Sequence, residues 1–321
     1  MRVYVPHMNT PITNLGGKSL FCYRLGNALK DMGVLVVGQS EPNIDVALHP
    51  IRIDPSIKAA KHVVRIDGVY HNNKQLYEKK NASIKKSVHQ ADGVVYQSYH
   101  SKRLADAFVG ETKAPSTIIY NGSKSSFYDT HNADTYHPSA IAFAKWRPHK
   151  RLKDIVESFL LIANPKNVLF VVGDTEKSGL SPYDINAYTA TGNIIFTGDL
   201  SQMQLRDLLS RVMASIHLCW FDACPNSVVE ALCAGVPVIS NNVGGTPELL
   251  EKVGLKRLIC PIDKPYDYKP CDLYNPPPIN TRLVGDQIRR CLRKPQKFDN
   301  TPLQIENVAK QYLDFFEKVM G

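Results

Sequence analysis

The chain has 321 residues, 43% of them hydrophobic, and a formal charge of +9. That length exceeds what one hydrophobic core goes on filling, so two domains of about 150 residues are expected, and the composition excludes a chain disordered throughout. The seven cysteines are an odd number and form no C-x-x-C pair, which argues against a disulfide framework or a zinc site and fits a reducing compartment.

From the N-terminus, Met1 runs directly into the strand-like Arg2-Val3-Tyr4-Val5, with no apolar segment of signal-peptide length. No later stretch of about 20 apolar residues offers a membrane span, so a cytoplasmic, unexported protein is expected. Short β-branched runs then alternate with segments of helical period: a helix from Ser19 to Met32, strands at Val34 to Val37, Val46 to Leu48 and Val63 to Ile66. A helix around Lys74 to Gln90, a strand at Val94 to Tyr96, a helix from Ser98 to Phe108 and a strand closed by the turn Asn121-Gly122 continue the rhythm of βαβ units. Lys79-Lys80 and Lys85-Lys86 concentrate positive charge, but no aromatics interleave them as in a single-strand binder, so they read as a solvated helix face.

The polar stretch Ser123 to Pro138 reads as a linker between an N-terminal domain (1–135) and a second domain (136–302). Strands at Ile141 to Phe143, Val168 to Val172, Ile194 to Thr197, Ala214 to Leu218 and Val236 to Ile239 repeat the pattern, so two open parallel α/β sheets are expected. Pro261 to Pro278 carries six prolines and reads as a surface excursion. Residues 303–321 form a terminal helix with Ile305, Val308, Tyr312 and Phe315 on one face, free to pack back on the first domain.

Three segments carry chemistry. In Asp222-Ala-Cys-Pro-Asn-Ser-Val-Val-Glu230 a strand ends, a loop passes Asp222, and a helix opens at Asn226-Ser227, whose free N–H groups suit a diphosphate. Glu230, one turn in, can accept hydrogen bonds from a ribose diol, while Asp222 sits where a sugar would lie. A capped helix with merely solvated acids is the alternative. In the stretch from Lys145 through Arg147 and Lys150 to Lys153, five Lys/Arg stand within nine residues at a strand's end, a density suited to phosphate charge. Gly16-Gly17 precedes Lys18-Ser19, but the first glycine of a Walker loop would fall on Ile12, so a tight turn is the better reading. There is no D-x-D triplet, which speaks against a metal-bridged diphosphate, and His217, inside an apolar strand, reads as packed.

The Asp222 to Glu230 segment resembles the E-x7-E signature of glycosyltransferase family 4, retaining enzymes of the GT-B fold, with Asp222 where the first Glu usually stands. Ala91-Asp-Gly-Val-Val-Tyr-Gln-Ser98, Ile118-Ile-Tyr-Asn-Gly122 and Val243-Gly-Gly-Thr-Pro-Glu-Leu-Leu250 are similar to further blocks of that family. The resemblance implies two Rossmann-like domains facing each other across a cleft, with a nucleoside-diphosphate sugar on the second and an acceptor on the first. It implies that Lys145 or Arg147 pairs with Lys150 to clamp the phosphates, and that Gly16-Gly17 approaches the donor or acceptor. Near the family's usual histidine stands Asp67, with His49 as a competitor for the place facing the sugar.

The function implied is a retaining, metal-independent transfer without cofactor to a glycan or lipid-linked hydroxyl, by same-face attack. Peripheral membrane association is a further partner reading, and no nucleic acid is expected. The rivals are a sugar-nucleotide epimerase on the same fold and a non-catalytic basic nucleotide or nucleic-acid-binding module.

Overall fold

The structure, a computed structural model, describes residues 1–10, 17–124, 138–262 and 266–321. The chain divides into two compact units: Met1–Lys124 with Asp267–Cys271 and Thr301–Gly321, and Ser125–Tyr266 with Asp272–Asn300. The segment from 125 to 137, within which the sequence reading drew its boundary, lies outside the described residues.

The first unit contains β1 (Arg2–Tyr4), α1 (Gly17–Asp31), β2 (Leu35–Val37), β3 (Ile44–Pro50), β4 (Ala59–Ile66), α2 (Tyr77–Gln90), β5 (Gly93–Tyr96), α3 (Tyr99–Val109) and β6 (Ser116–Ile118). The second contains β7 (Ser139–Phe143), α4 (Leu152–Leu160), β8 (Val168–Val172), α5 (Pro182–Thr189), β9 (Ile194–Gly198), α6 (Gln202–Leu209) and β10 (Ala214–His217), then α7 (Asn226–Cys233), β11 (Val238–Asn241), α8 (Thr246–Lys252), β12 (Ile259–Cys260) and α9 (Thr281–Arg293). The last helix, α10 (Ile305–Met320), returns to the first unit.

In the first unit six parallel strands run in the order β2-β1-β3-β4-β5-β6. Parallel sheets need cover on both faces, and β5 accordingly buries all four residues. One face holds α1 and α10, where Phe21, Leu25, Tyr312 and Phe316 meet Val3, Val46 and Val95. Other apolar residues of β4 and β5, among them Val64 and Val94, pack with Ile84 and Val88 of α2 and with Ala105 and Val109 of α3. Close approach of α10 depends on two glycines. A Cβ at Gly93 would lie 2.7 Å from Val319 Cγ2, and one at Gly122 would lie 3.0 Å from Ile305 Cα.

The second sheet, also parallel, runs β12-β11-β10-β7-β8-β9. Its order reverses between β7 and β10, the kind of switch point where the loops leaving two adjacent strands diverge and open a crevice at their carboxyl ends. Lys150 follows β7 and Asp222 follows β10, so topology alone brings both loops to that place.

Two elements have no counterpart in the sequence reading, β12 and α9, and the strand expected from Val236 begins at Val238. The proline-rich stretch makes isolated bridges, Ile262 with Ile279 and Asn72 with Cys271. Among the described residues no helix is long and apolar enough to cross a membrane.

Candidate active site

The loop leaving β10 is held in place from two sides. At the carboxyl end of β11, Asn241 is 1% exposed. Its Nδ2 donates to the carbonyls of Leu218 and Cys219 at 2.7 and 2.9 Å, and its Oδ1 accepts from the Val243 amide at 2.9 Å. Further on, the Gly245 amide donates to the Asp222 carbonyl at 2.8 Å. Gly244 has φ of +84°, and a Cβ there would meet the same carbonyl oxygen at 2.9 Å. The Gly-Gly loop therefore cradles the backbone of Asp222, and at Gly244 only glycine has both the dihedral freedom and the room.

Lys150 arrives through a short 3-10 turn, Pro148–Lys150, closed by Arg151 in the left-handed conformation at φ of 57°. That strained residue is anchored: its guanidinium pairs with Asp154 at 3.0 Å and donates to the Pro277 carbonyl. The amide of Trp220 donates to the His149 carbonyl at 2.9 Å, tying the two loops together. His149 stacks on Tyr274 with ring centres 5.6 Å apart.

The result is a half-enclosed ion pair, with Lys150 Nζ 2.6 Å from Asp222 Oδ2 and side chains 16% and 26% exposed. Lys150 also bonds Cys219. Burial works against the charge of each partner, but mutual attraction prevails: Asp222 is held below its ordinary value and Lys150 above its own. Burial and then the Lys150 charge depress His217 to about 3, so its imidazole is neutral. Burial pushes the Cys219 thiol up to about 11. Ligand atoms of His217, Cys219 and Asp222 lie within 4.8 Å of one another, a group the sequence reading did not assemble because the three alternate with apolar neighbours at the end of one strand.

Around this pair the other residues singled out in the sequence fall as follows. Asn226 and Ser227 open α7, whose first turn carries no side-chain cap, and Glu230 lies on the same helix, 8% exposed. Lys145 and Arg147 are both exposed on the segment leading to Lys150. Gly16 lies outside the described residues, and Gly17 begins α1.

In the first unit Asp67, just past β4, pairs with Arg65 Nη1 at 2.5 Å and accepts from Gln97 Nε2. Burial raises its carboxyl, against the pull of Arg65. Arg65 in turn lies 3.9 Å over the Phe21 ring and donates to Asn121 Oδ1 at 2.5 Å, so Asp67 belongs to a buried network. His49 Nε2 lies 2.9 Å from His62 Nδ1, its own Nδ1 accepts from the Asp54 amide at 3.2 Å, and burial and then His62 lower it to about 4. Sequence reasoning missed Asn241, whose one signal is a polar residue closing the short strand Val238-Ile-Ser-Asn241.

Residues 129–265, which contain Lys150, Asp222 and Glu230, match the family described as glycosyl transferases group 1. Among solved structures, sucrose-phosphate synthase from Thermosynechococcus elongatus is similar over 99% of this chain and 98% of its own, at 13% identity and a TM-score of 0.66. AviGT4, a glycosyltransferase involved in avilamycin A biosynthesis, is similar over 99% of this chain and 98% of its own, at 14% identity and a TM-score of 0.62. Anabaena HepE, solved in complex with UDP, is similar over 81% of this chain and 70% of its own, at 15% identity and a TM-score of 0.55. No curated protein sequence matches the chain. The fold is the GT-B fold, with two Rossmann-like units. With a group 1 domain in its second unit, the chain is an enzyme of the glycosyltransferase class.

Proposed function

We propose that the chain is a retaining, metal-independent glycosyltransferase of family 4 that moves a sugar from a nucleoside-diphosphate sugar to a hydroxyl of a glycan or lipid-linked acceptor. The observation that carries this is the convergence of Lys150 and Asp222 at the switch point of the second sheet, 2.6 Å apart, beside the uncapped start of α7. An ammonium close to the N-terminal end of a helix suits a diphosphate. In this reading the diphosphate shares Lys150 with Asp222. As the glycosidic bond breaks, charge grows on the departing phosphate, and Lys150 stabilises that charge more than it stabilises the bound donor. Asp222 accepts hydrogen bonds from the sugar, and Glu230 from the ribose.

Same-face attack is the mechanism we favour. Asp222 shares its charge with Lys150, which makes its carboxylate a weaker nucleophile for double displacement. The departing phosphate oxygen then takes the acceptor proton. The chain works in the cytoplasm, binds no nucleic acid, and approaches membranes only peripherally if its acceptor is lipid-linked. HepE is solved with UDP, which makes uridine donors the first to try.

The test is incubation with UDP, GDP, ADP and dTDP sugars in the presence of EDTA, with the anomeric configuration of the product followed by NMR. Consumption of a donor with retained configuration is expected. Inverted product would overturn retention, and rescue by Mg²⁺ or Mn²⁺ after loss in EDTA would overturn metal independence. Failure of every donor both to raise the melting temperature and to be consumed would sink the reading as a whole.

A further inference from the structure

The ion pair at the switch point sits inside a set of atoms that would equally suit a metal. A ring nitrogen of His217, the sulfur of Cys219 and a carboxylate oxygen of Asp222 lie within 4.8 Å of one another. His217 is 6% exposed, and its Nε2 is buried without a hydrogen-bond partner. Such an imidazole is costly to bury and lacks a stated role in sugar transfer. Lys150 Nζ, bonded to both Asp222 and Cys219, supplies the positive charge among these groups.

We propose that His217, Cys219 and Asp222 form an inhibitory site for a thiophilic divalent cation of the Zn²⁺ class, which binds by displacing the Lys150 ammonium.

The donor set is one nitrogen, one thiolate and one carboxylate oxygen, which is three of the four ligands of tetrahedral zinc, with solvent as the fourth. Zn–N, Zn–S and Zn–O bonds of about 2.0 to 2.3 Å place tetrahedral ligands roughly 3.2 to 3.7 Å apart. Closing from the present separation therefore takes a shift of about 1 Å, within reach of side-chain rotation. Charge is conserved in the exchange. One ammonium leaves toward solvent, the Cys219 thiol proton goes to water, and a doubly charged ion meets one carboxylate and one new thiolate. The enclosed cluster is neutral before and after, so exchange adds no uncompensated charge to a half-buried site.

The effect on catalysis rests on the proposed role of Lys150, whereas the site itself does not, and the experiment separates the two. Co²⁺ is added to the full-length protein, and its binding is followed by absorption and calorimetry without any sugar nucleotide. One equivalent is expected to give a thiolate-to-cobalt charge-transfer band and the intense visible bands of tetrahedral cobalt. Affinity should fall at least tenfold in both Cys219→Ser and His217→Gln, with melting curves confirming that the variants are folded. It should rise at least tenfold in Lys150→Met, where the competing ammonium is gone. Binding without a thiolate band, affinity unchanged in either ligand variant, affinity unchanged in Lys150→Met, or no binding at all would each overturn the site. Zn²⁺ is then titrated into the transfer reaction. Inhibition at the concentration that fills the site is expected, and undiminished transfer by the zinc-loaded enzyme would overturn the inhibitory role while leaving the site intact.

Discussion

At the scale of residues, Lys150 and Asp222 each depend on the other for a charge that burial alone would suppress. Neutralising one strands its partner, at a cost of roughly 1 to 3 kcal/mol for a pair between the exposed and fully buried extremes. Asp222→Asn should lower sugar transfer at least tenfold while leaving affinity for a free nucleoside diphosphate nearly unchanged, since that ligand carries no sugar. Steady-state kinetics beside calorimetry would check it, and transfer at the wild-type rate would remove Asp222 from sugar recognition.

The pH dependence has a definite sign. The depressed Asp222 value makes the pair's contribution present above about pH 4 and lost as pH falls through its folded value. The raised Lys150 value keeps it until pH climbs past about 10. His49 and His217 act at a different pH. Their lowered folded values, about 4 and about 3, mean that stability declines as pH falls below about 6.5. Melting curves from pH 8 down to pH 4.5 should therefore fall for the wild type and fall less for His217→Gln. Parallel curves would show that His217 is not held neutral. Lys150 and Asp222 could each be singled out in the sequence because the motifs that contain them are local. The contact between Lys150 and Asp222 was not legible, because it joins two loops 72 positions apart through a strand order that no local pattern encodes.

At the scale of elements, the loop that carries Asp222 owes its shape to neighbours with no chemistry of their own. Asn241 satisfies two carbonyls and one amide at once, so Asn241→Leu leaves three buried backbone groups without partners, at about 1 to 3 kcal/mol each if none finds water. We expect a lower melting temperature and a greater loss in kcat than in KM, because the loop would drift away from Lys150. Unchanged kcat with lowered stability would confine Asn241 to the fold. The alternation of strands and helices was readable, since β-branched runs and 3.6-residue stripes differ over short windows. Helix α9 was not, although Val284, Ile288, Cys291 and Leu292 make a buried stripe on it. The prolines just before it draw the reading toward surface chain, and what recruits the helix is a partner remote in sequence: Gly285 packs so close to α4 that a Cβ would meet the Ser158 carbonyl at 2.8 Å. Strand β12, two residues long, is too short to carry a period.

At the scale of the whole molecule, donor binding should act on one unit only. A ligand seated at the switch point of the second sheet stabilises that unit by mass action. Hydrogen exchange with and without nucleotide is therefore expected to slow in β7, β10 and α7, while β3 and β4 stay unchanged. Equal protection in both sheets would mean that the ligand engages the first unit as well. The two-sheet architecture was legible because the rhythm of βαβ units runs twice along the chain. In the sharing of the first unit between distant segments, residues 303–321 read as a helix free to pack back on the first domain, whereas the place of Asp267–Cys271 was not legible, because it rests on backbone pairing of Cys271 with Asn72 and Asn73, far earlier in the chain.

That sharing has a consequence for how the protein is made. Tyr312 and Phe316, both wholly buried against the first sheet, leave the ribosome only after Asn300, at which everything the second unit needs is complete. Domains of a growing chain ordinarily mature from the N-terminus onward. Here the order inverts: the unit begun first must wait, with the face destined for α10 uncovered, until the unit begun second is already whole.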